Sequence, residues 1–305
     1  ATLDAFAKAG RAGIAFARSG NPLTAGNSTF WGGDQLAEWR NLGVVVRGGL
    51  SAAWSGLFYW SHDVGGYSGT PTKDLYLRWL EIGIFSPMMQ VHGDSGREPW
   101  RFDEETLRIA RGYFKAREKL QPYLVELARE AREQGRPMWR PLAWAYPDDP
   151  STHASGDQFL LGPDLLLAPI LDEHAERTVY LPAGAWVDLW NGQSITGPTR
   201  MTVRAELAVI PAYARAEAYP RWKDLLDDVP RGPRSPLHVD LAGALNDRGI
   251  VPAQRYLRGQ RYEKLFYTVR NHTSAPAAGE ARPRVPPGFQ VEPAQIAFTA
   301  PPNGE

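Results

Sequence analysis

The sequence predicts an α/β region of parallel strands followed by an all-β region. Three observations carry this expectation. Short apolar runs alternate with helically spaced segments over the first 135 or so residues. The runs recur roughly every 20 to 30 residues, the length that a parallel crossover needs. Beyond Pro137 they crowd together, with Pro and Gly between them, as antiparallel strands do.

In chain order, AGIAFA (12–17), FWGG (30–33), GLFYW (56–60) and PMMQV (87–91) read as buried strands. TKDLYLRWLEIGIF places Leu75, Leu77, Trp79, Leu80 and Ile84 at helical spacing, and PYLVELAREAREQG does the same with Leu124, Leu127, Ala128 and Ala131 before a closing Gly135. Four strand-then-helix units make half of a (β/α)8 TIM barrel, expected over residues 1–136. FLLG, LLLAPIL, RTVYLP, AWVDLW and TVRAELAVI then read as an antiparallel β-sandwich over 137–218. Residues 219–305 open on a charged, Pro-containing linker and continue into a partial distal β-rich region, with LFYTV and QVEPAQIAF as its strand-like runs.

Composition excludes several classes. Lys plus Arg equal Asp plus Glu at 34 each, with no sustained run of one sign, so neither nucleic acid nor a membrane surface is an expected partner. No cysteine is present, which removes disulfides, thiol nucleophiles and thiolate metal sites. No apolar stretch reaches the roughly eighteen residues of a membrane span. The opening ATLDAFAKAGRAGIAF has neither an initiating Met nor a leader pattern and reads as a start inside a longer polypeptide. Homo-oligomerisation is left open.

In a parallel barrel, side chains just past the C-terminal strand ends meet in one pocket. Here these are Arg18-Ser19, Asp34, His62-Asp63 with the VGGY turn, and His92-Gly93-Asp94, with Trp31, Tyr59, Trp60 and Tyr67 beside them. Carboxylates amid aromatic rings suggest sugar chemistry: a carboxyl group protonates the leaving oxygen while rings cover the apolar sugar faces. Asp34 suits the acid, because Gly32 and Gly33 let substrate approach the backbone. A metal held by His62, Asp63, His92 and Asp94 is the competing reading, but no ligand spacing supports it, and no metal or cofactor is expected. Neither a GxSxG elbow nor a phosphate loop occurs. A non-catalytic carbohydrate-binding module would also use Trp and Tyr platforms, though without acids at strand ends.

Read in order, FARS (16–19), FWGGD (30–34), GGLSAAWSGLFYWSHDVGGY (48–67), LYLRWLEIGIFSPMMQVHG (75–93), REPW (97–100), QPYL (121–124), MWRPL (138–142), DQFLLGPDLLLAPIL (157–171) and VYLPAGAWVDLWNG (179–192) resemble glycoside hydrolase family 31. That family comprises retaining α-glycosidases, among them α-glucosidases and α-xylosidases. The resemblance covers residues 10 to 211 and implies the last four strands of the barrel with the proximal β-domain. It assigns the general acid/base to Asp34 and substrate contacts to Arg18, Trp31, Asp63 and His92, with Trp60 as a further pocket-lining candidate. Arg97, Glu98 and Trp100 are expected to brace a strand-end loop.

The family's nucleophile is an Asp two strands before the acid/base. Only Asp4 is acidic before Asp34, and it lies in no such motif, so the nucleophile is expected outside these 305 residues and the chain alone is expected to be inactive. The implied partner is an α-linked oligosaccharide or glycoside. The terminal stretch is similar to the start of an immunoglobulin-like accessory domain, which with the NHT sequon at Asn271 tilts the expectation towards export.

Overall fold

The computed structural model describes residues 2–19, 28–230, 237–242, 266–271, 277–281 and 296–300. They fall into two compact units, Ala1–Gly232 and Pro233–Glu305.

The first unit opens with α1 (Thr2–Lys8) and strands β1 (Phe16–Ala17), β2 (Thr29–Trp31) and β3 (Trp60–Ser61), which pair in parallel in that order. The PMMQV run adds no full strand; it joins through a single parallel bridge, Asp63 to Gln90. Connecting these are α2 (Trp39–Trp54) and α3 (Lys73–Ile84), and α4 (Glu104–Gln134) follows.

Helix α2 is weakly signalled in the sequence, because Val44 to Val46 and the Gly48-Gly49 pair all disfavour a helix. Packing decides it. Leu42, Val45, Val46, Gly49, Leu50 and Ala53 form its buried side, and Gly49 leaves room for the Trp60 ring, which a Cβ there would meet at 2.0 Å. Gly49→Ala is therefore expected to overpack the site and lower stability by about 1–3 kcal/mol in urea unfolding.

In α3, Thr72 caps the first turn by accepting from the Leu75 amide at 3.3 Å, and every residue from Leu75 to Ile84 is buried. It is a central helix with core on all sides. Asp103 caps α4 by accepting from the Thr106 amide at 2.7 Å, and Gly135 ends it in the left-handed region (φ 67°), where a side chain would be strained.

A six-stranded antiparallel sheet follows: β4 (Trp139–Pro141), β5 (Phe159–Leu161), β6 (Leu165–Leu167), β7 (Glu176–Asp188), β8 (Ser194–Arg204) and β9 (Ala212–Arg215), in the order β4-β5-β6-β9-β7-β8. RTVYLP and AWVDLW, expected as two strands, are one. Strand β7 runs through both, and its ladder with β8 shifts register between Leu181 and Gly184, where Gly184 has a φ of 131°. The TVRAELAVI run leaves the sheet after Arg204 because side chains take its carbonyls: Arg78 donates to Ala205 at 2.8 Å and Val209 at 2.9 Å, and Tyr113 to Ala208 at 2.9 Å.

Helices and sheet share one core. Trp139 stacks on Phe159 with 3.7 Å between ring centroids, meets Trp60 edge-on at 4.9 Å, and donates its indole N–H to the Phe85 carbonyl at 2.7 Å. Among the described residues, no helix is long and apolar enough to cross a membrane.

In the second unit, β10 (Leu237–Ala242) pairs antiparallel with β11 (Phe266–Asn271), and β12 (Ala277–Ala281) with β13 (Ile296–Ala300). FYTV of the first expected run falls in β11 and IAF of the second in β13; Asn271 closes β11, and Leu265, residues 290–295 and Thr273 lie outside the described residues.

Candidate active site

Backbone ties hold the strand ends together before any side chain acts. The Gln35 carbonyl accepts from the Tyr67 and Ser68 amides at 2.8 and 3.0 Å, joining the loop after β2 to the loop after β3. Gly66, with a φ of 79°, lies so close that a Cβ would sit 2.9 Å from the Leu36 carbonyl. The DVGGY turn thus needs its second glycine for a close backbone approach as well as for its φ. Arg97 is buried and donates to the carbonyls of Gly66 (2.8 Å), Tyr67 (3.0 Å) and Gly69 (2.6 Å), while Asp94 accepts from the Gly69 amide at 3.1 Å. These two residues brace the loop.

On this frame the candidate side chains form a row. Arg18, after β1, donates to the Asp34 carboxylate at 2.9 Å and lies over the Trp31 ring, 5.1 Å from its centroid. Its side chain is 73% exposed and that of Asp34 37%, so the pair is accessible and contributes little to stability. Trp31 turns its indole N–H to Asp63 Oδ2 at 3.1 Å, and the Gln90 amide donates to Asp63 Oδ1. Tyr67 continues the row: its ring meets Trp31 edge-on at 6.1 Å and His92 at 5.4 Å.

Burial pushes the Asp63 carboxyl above the usual range, and the negative charge of Asp34 adds to this, while the Gln90 and Trp31 bonds and the nearby His92 pull the other way. A carboxylate so placed is poor in solvent contacts and is already oriented by two N–H donors.

The structure brings Arg18, Trp31, Asp34, Asp63 and His92 to one end of the parallel strands; Trp60 lines a cavity with Arg18 and Trp31 but puts the bulk of its ring into the core. Successive strand residues point to opposite faces, so Trp60 turns away from Ser61 and Asp63. It is only 6% exposed, packed between Gly49 and Trp139, and it is a core residue. His62 turns away likewise and is buried. Among the described residues, no three His, Asp or Glu side chains are placed to hold a metal. Tyr67 stands among the strand-end aromatic rings expected from the sequence, and Gln90 has no role there. Tyr67's signal was its place after the GG turn; that of Gln90, its place in the last strand-like run.

The description of the Glycosyl hydrolases family 31 TIM-barrel domain matches residues 1–127, and that of the Glycosyl hydrolase family 31 C-terminal domain matches residues 135–218. The chain belongs to glycoside hydrolase family 31. A family member, the 1,3-alpha-isomaltosidase of Kribbella flavida, is 35% identical over 238 residues, covering 73% of this chain and 32% of that protein. The alpha-xylosidase of Saccharolobus solfataricus is 36% identical over 196 residues, covering 62% of this chain and 27% of that protein. A cycloalternan-degrading enzyme from Trueperella pyogenes, solved in complex with a covalent intermediate, superposes with a TM-score of 0.67 at 32% identity, over 70% of this chain and 31% of that one. The chain thus spans about a third or less of these family 31 relatives.

Proposed function

We propose that the protein carrying this chain is a retaining α-glycosidase that hydrolyses terminal α-linked glucose from oligosaccharides. One observation carries the reading: an accessible carboxylate, Asp34, held by Arg18 in a row with Trp31, Asp63, Tyr67 and His92. Asp34 is the general acid/base. Asp63 and His92 receive the sugar hydroxyls, Arg18 positions Asp34, and Trp31 and Tyr67 cover the apolar sugar face.

In the first half-reaction a carboxylate attacks the anomeric carbon and the glycosidic C–O bond breaks, while Asp34 gives its proton to the departing oxygen. In the second, Asp34 takes a proton from water, whose oxygen displaces the enzyme carboxylate from the same carbon. Two inversions return the α configuration. The Trueperella pyogenes relative's covalent intermediate supports this two-step course.

The attacking carboxylate lies outside these 305 residues: Asp63 is engaged by Trp31 and Gln90, and the chain matches only about a third or less of these relatives' length. In the same reading, the parallel strands of residues 1–136 are the last part of a (β/α)8 barrel, residues 137–218 form the proximal β-sandwich, and 219–305 lead to a distal β-domain. Glucose is favoured by similarity to the alpha-glucosidase 2 of Bacillus thermoamyloliquefaciens; α-xyloside hydrolysis is the second reading, favoured by the Saccharolobus relative.

Proton NMR of isomaltose hydrolysis by the full-length protein tests the reading. The first-formed sugar is expected as the α anomer, with no turnover by the 305-residue chain alone. A β-anomer product, or turnover by the chain alone, would sink it.

A further inference from the structure

Behind the row of site residues lies a buried chain of hydrogen bonds that the proposed chemistry does not use. The Trp79 indole N–H of α3 meets His62 Nδ1 at 3.0 Å, His62 Nε2 meets Ser86 Oγ at 2.9 Å, and Ser86 Oγ donates to the Ile82 carbonyl at 2.9 Å. An indole nitrogen can only donate, so Nδ1 must accept. The imidazole is therefore neutral, with its proton on Nε2, and donates to Ser86. All three side chains are buried. Burial pushes the His62 pKa down to about 3, opposed in part by the Asp63 backbone and assisted by the charge of Arg117 on α4.

The ring connects two segments that must agree in position. One is the end of β3, where Asp63 follows His62 directly. The other begins at Ser86 and runs to Gln90, the donor to Asp63, and to His92. The backbone repeats the same link on both sides of the ring: Met88 donates to the Trp60 carbonyl at 3.2 Å and Val64 to the Gln90 carbonyl at 3.1 Å. Arg117 clamps the start of the second segment by donating to the Ile84 carbonyl at 2.7 Å and the Pro87 carbonyl at 3.1 Å.

We infer that His62 is a positioning residue: through Trp79 and Ser86 it fixes the separation of Asp63 and Gln90, and so aims the Asp63 carboxylate at the site. It touches no substrate. The inference rests on the sugar-binding role proposed for Asp63, but its geometric half stands apart from catalysis.

The test has two arms. In the 305-residue chain, exchange of the Trp31 indole proton, which is held by Asp63, is followed by NMR. His62→Leu and Ser86→Ala are expected to speed it at least tenfold, while His62→Gln, which supplies both an acceptor and a donor, keeps it slow. In the full-length enzyme, His62→Leu is expected to lower kcat/KM on isomaltose about tenfold, but less than twofold when Asp63→Asn is already present, because a residue acting through another loses its effect with that partner. Unchanged indole exchange in both His62→Leu and Ser86→Ala would overturn the inference, as would an equal loss of kcat/KM in both backgrounds. If the full-length protein hydrolyses no α-glycoside, the proposed function fails, and the exchange arm still decides the role of His62.

Discussion

Asp34→Asn in the full-length protein is expected to lower kcat on isomaltose by about 10²- to 10⁴-fold, the range that one general acid/base supplies. The loss should depend on the leaving group. A sugar leaves as an alkoxide unless it is protonated, so the first half-reaction on isomaltose needs the Asp34 proton. A dinitrophenyl α-glucoside leaves unaided, so there only the water-activating second step should slow, and a covalent glycosyl-enzyme should accumulate, visible by mass spectrometry. Arg18 would still be present, and Asn keeps an oxygen to accept its bond, so the fold around the site should not change. Equal losses on both substrates, with no accumulated intermediate, would remove Asp34 from the acid/base role.

Arg78→Met is expected to cost about 3–5 kcal/mol of stability at pH 8, where the unfolded chain ionises Glu81 and the fold no longer offers that carboxyl a partner. Glu81 is completely buried, and Arg78 lies 3.2 Å from its carboxylate while also holding the Ala205 and Val209 carbonyls. Burial raises Glu81 to about 7, against a partial opposing pull from Arg78. The folded chain therefore prefers neutral Glu81, and the sign follows. Its contribution is fully favourable below the ordinary value of 4.5 and is lost as pH rises towards 7, at about 1.4 kcal/mol per pH unit. Without Arg78 the preference for the neutral form strengthens, so the deficit of the variant should be larger at pH 8 than at pH 5 in urea unfolding. Adding Glu81→Met should recover much of it, since an apolar pair replaces a buried ion pair at little cost.

Three of the four expected parallel strands, α3 and the second half of α4 were legible because their apolar spacing is strong and Gly135 closes α4; the first half of α4, from its Asp103 cap, was not read. Helix α2 was not, because the glycine that disfavours it locally is the one that Trp60 requires, and that ring arrives from another strand. Strand β9 was missed for a similar reason: AYAR is too short to be read alone, and only its place between β6 and β7 makes it a strand. At the site, strand-end position selected five of the residues that come together. Trp60, at the start of β3, lines the cavity beside Arg18 and Trp31 but is mostly covered by Gly49 and Trp139, which arrive from other elements and give no local signal.

The boundary between the two family 31 modules, near Gly135, is a boundary of descent and not of cooperativity. Trp139 stands just beyond it, yet its ring rests between Trp60 of the barrel strands and Phe159 of the sheet, and its N–H is held by the residue that follows α3. Neither module can melt without opening the other's interior. The sheet therefore acts as the closing wall of the first module, and a change in its strands will be felt at the Arg18–Asp34 row as a change in rigidity rather than in contact.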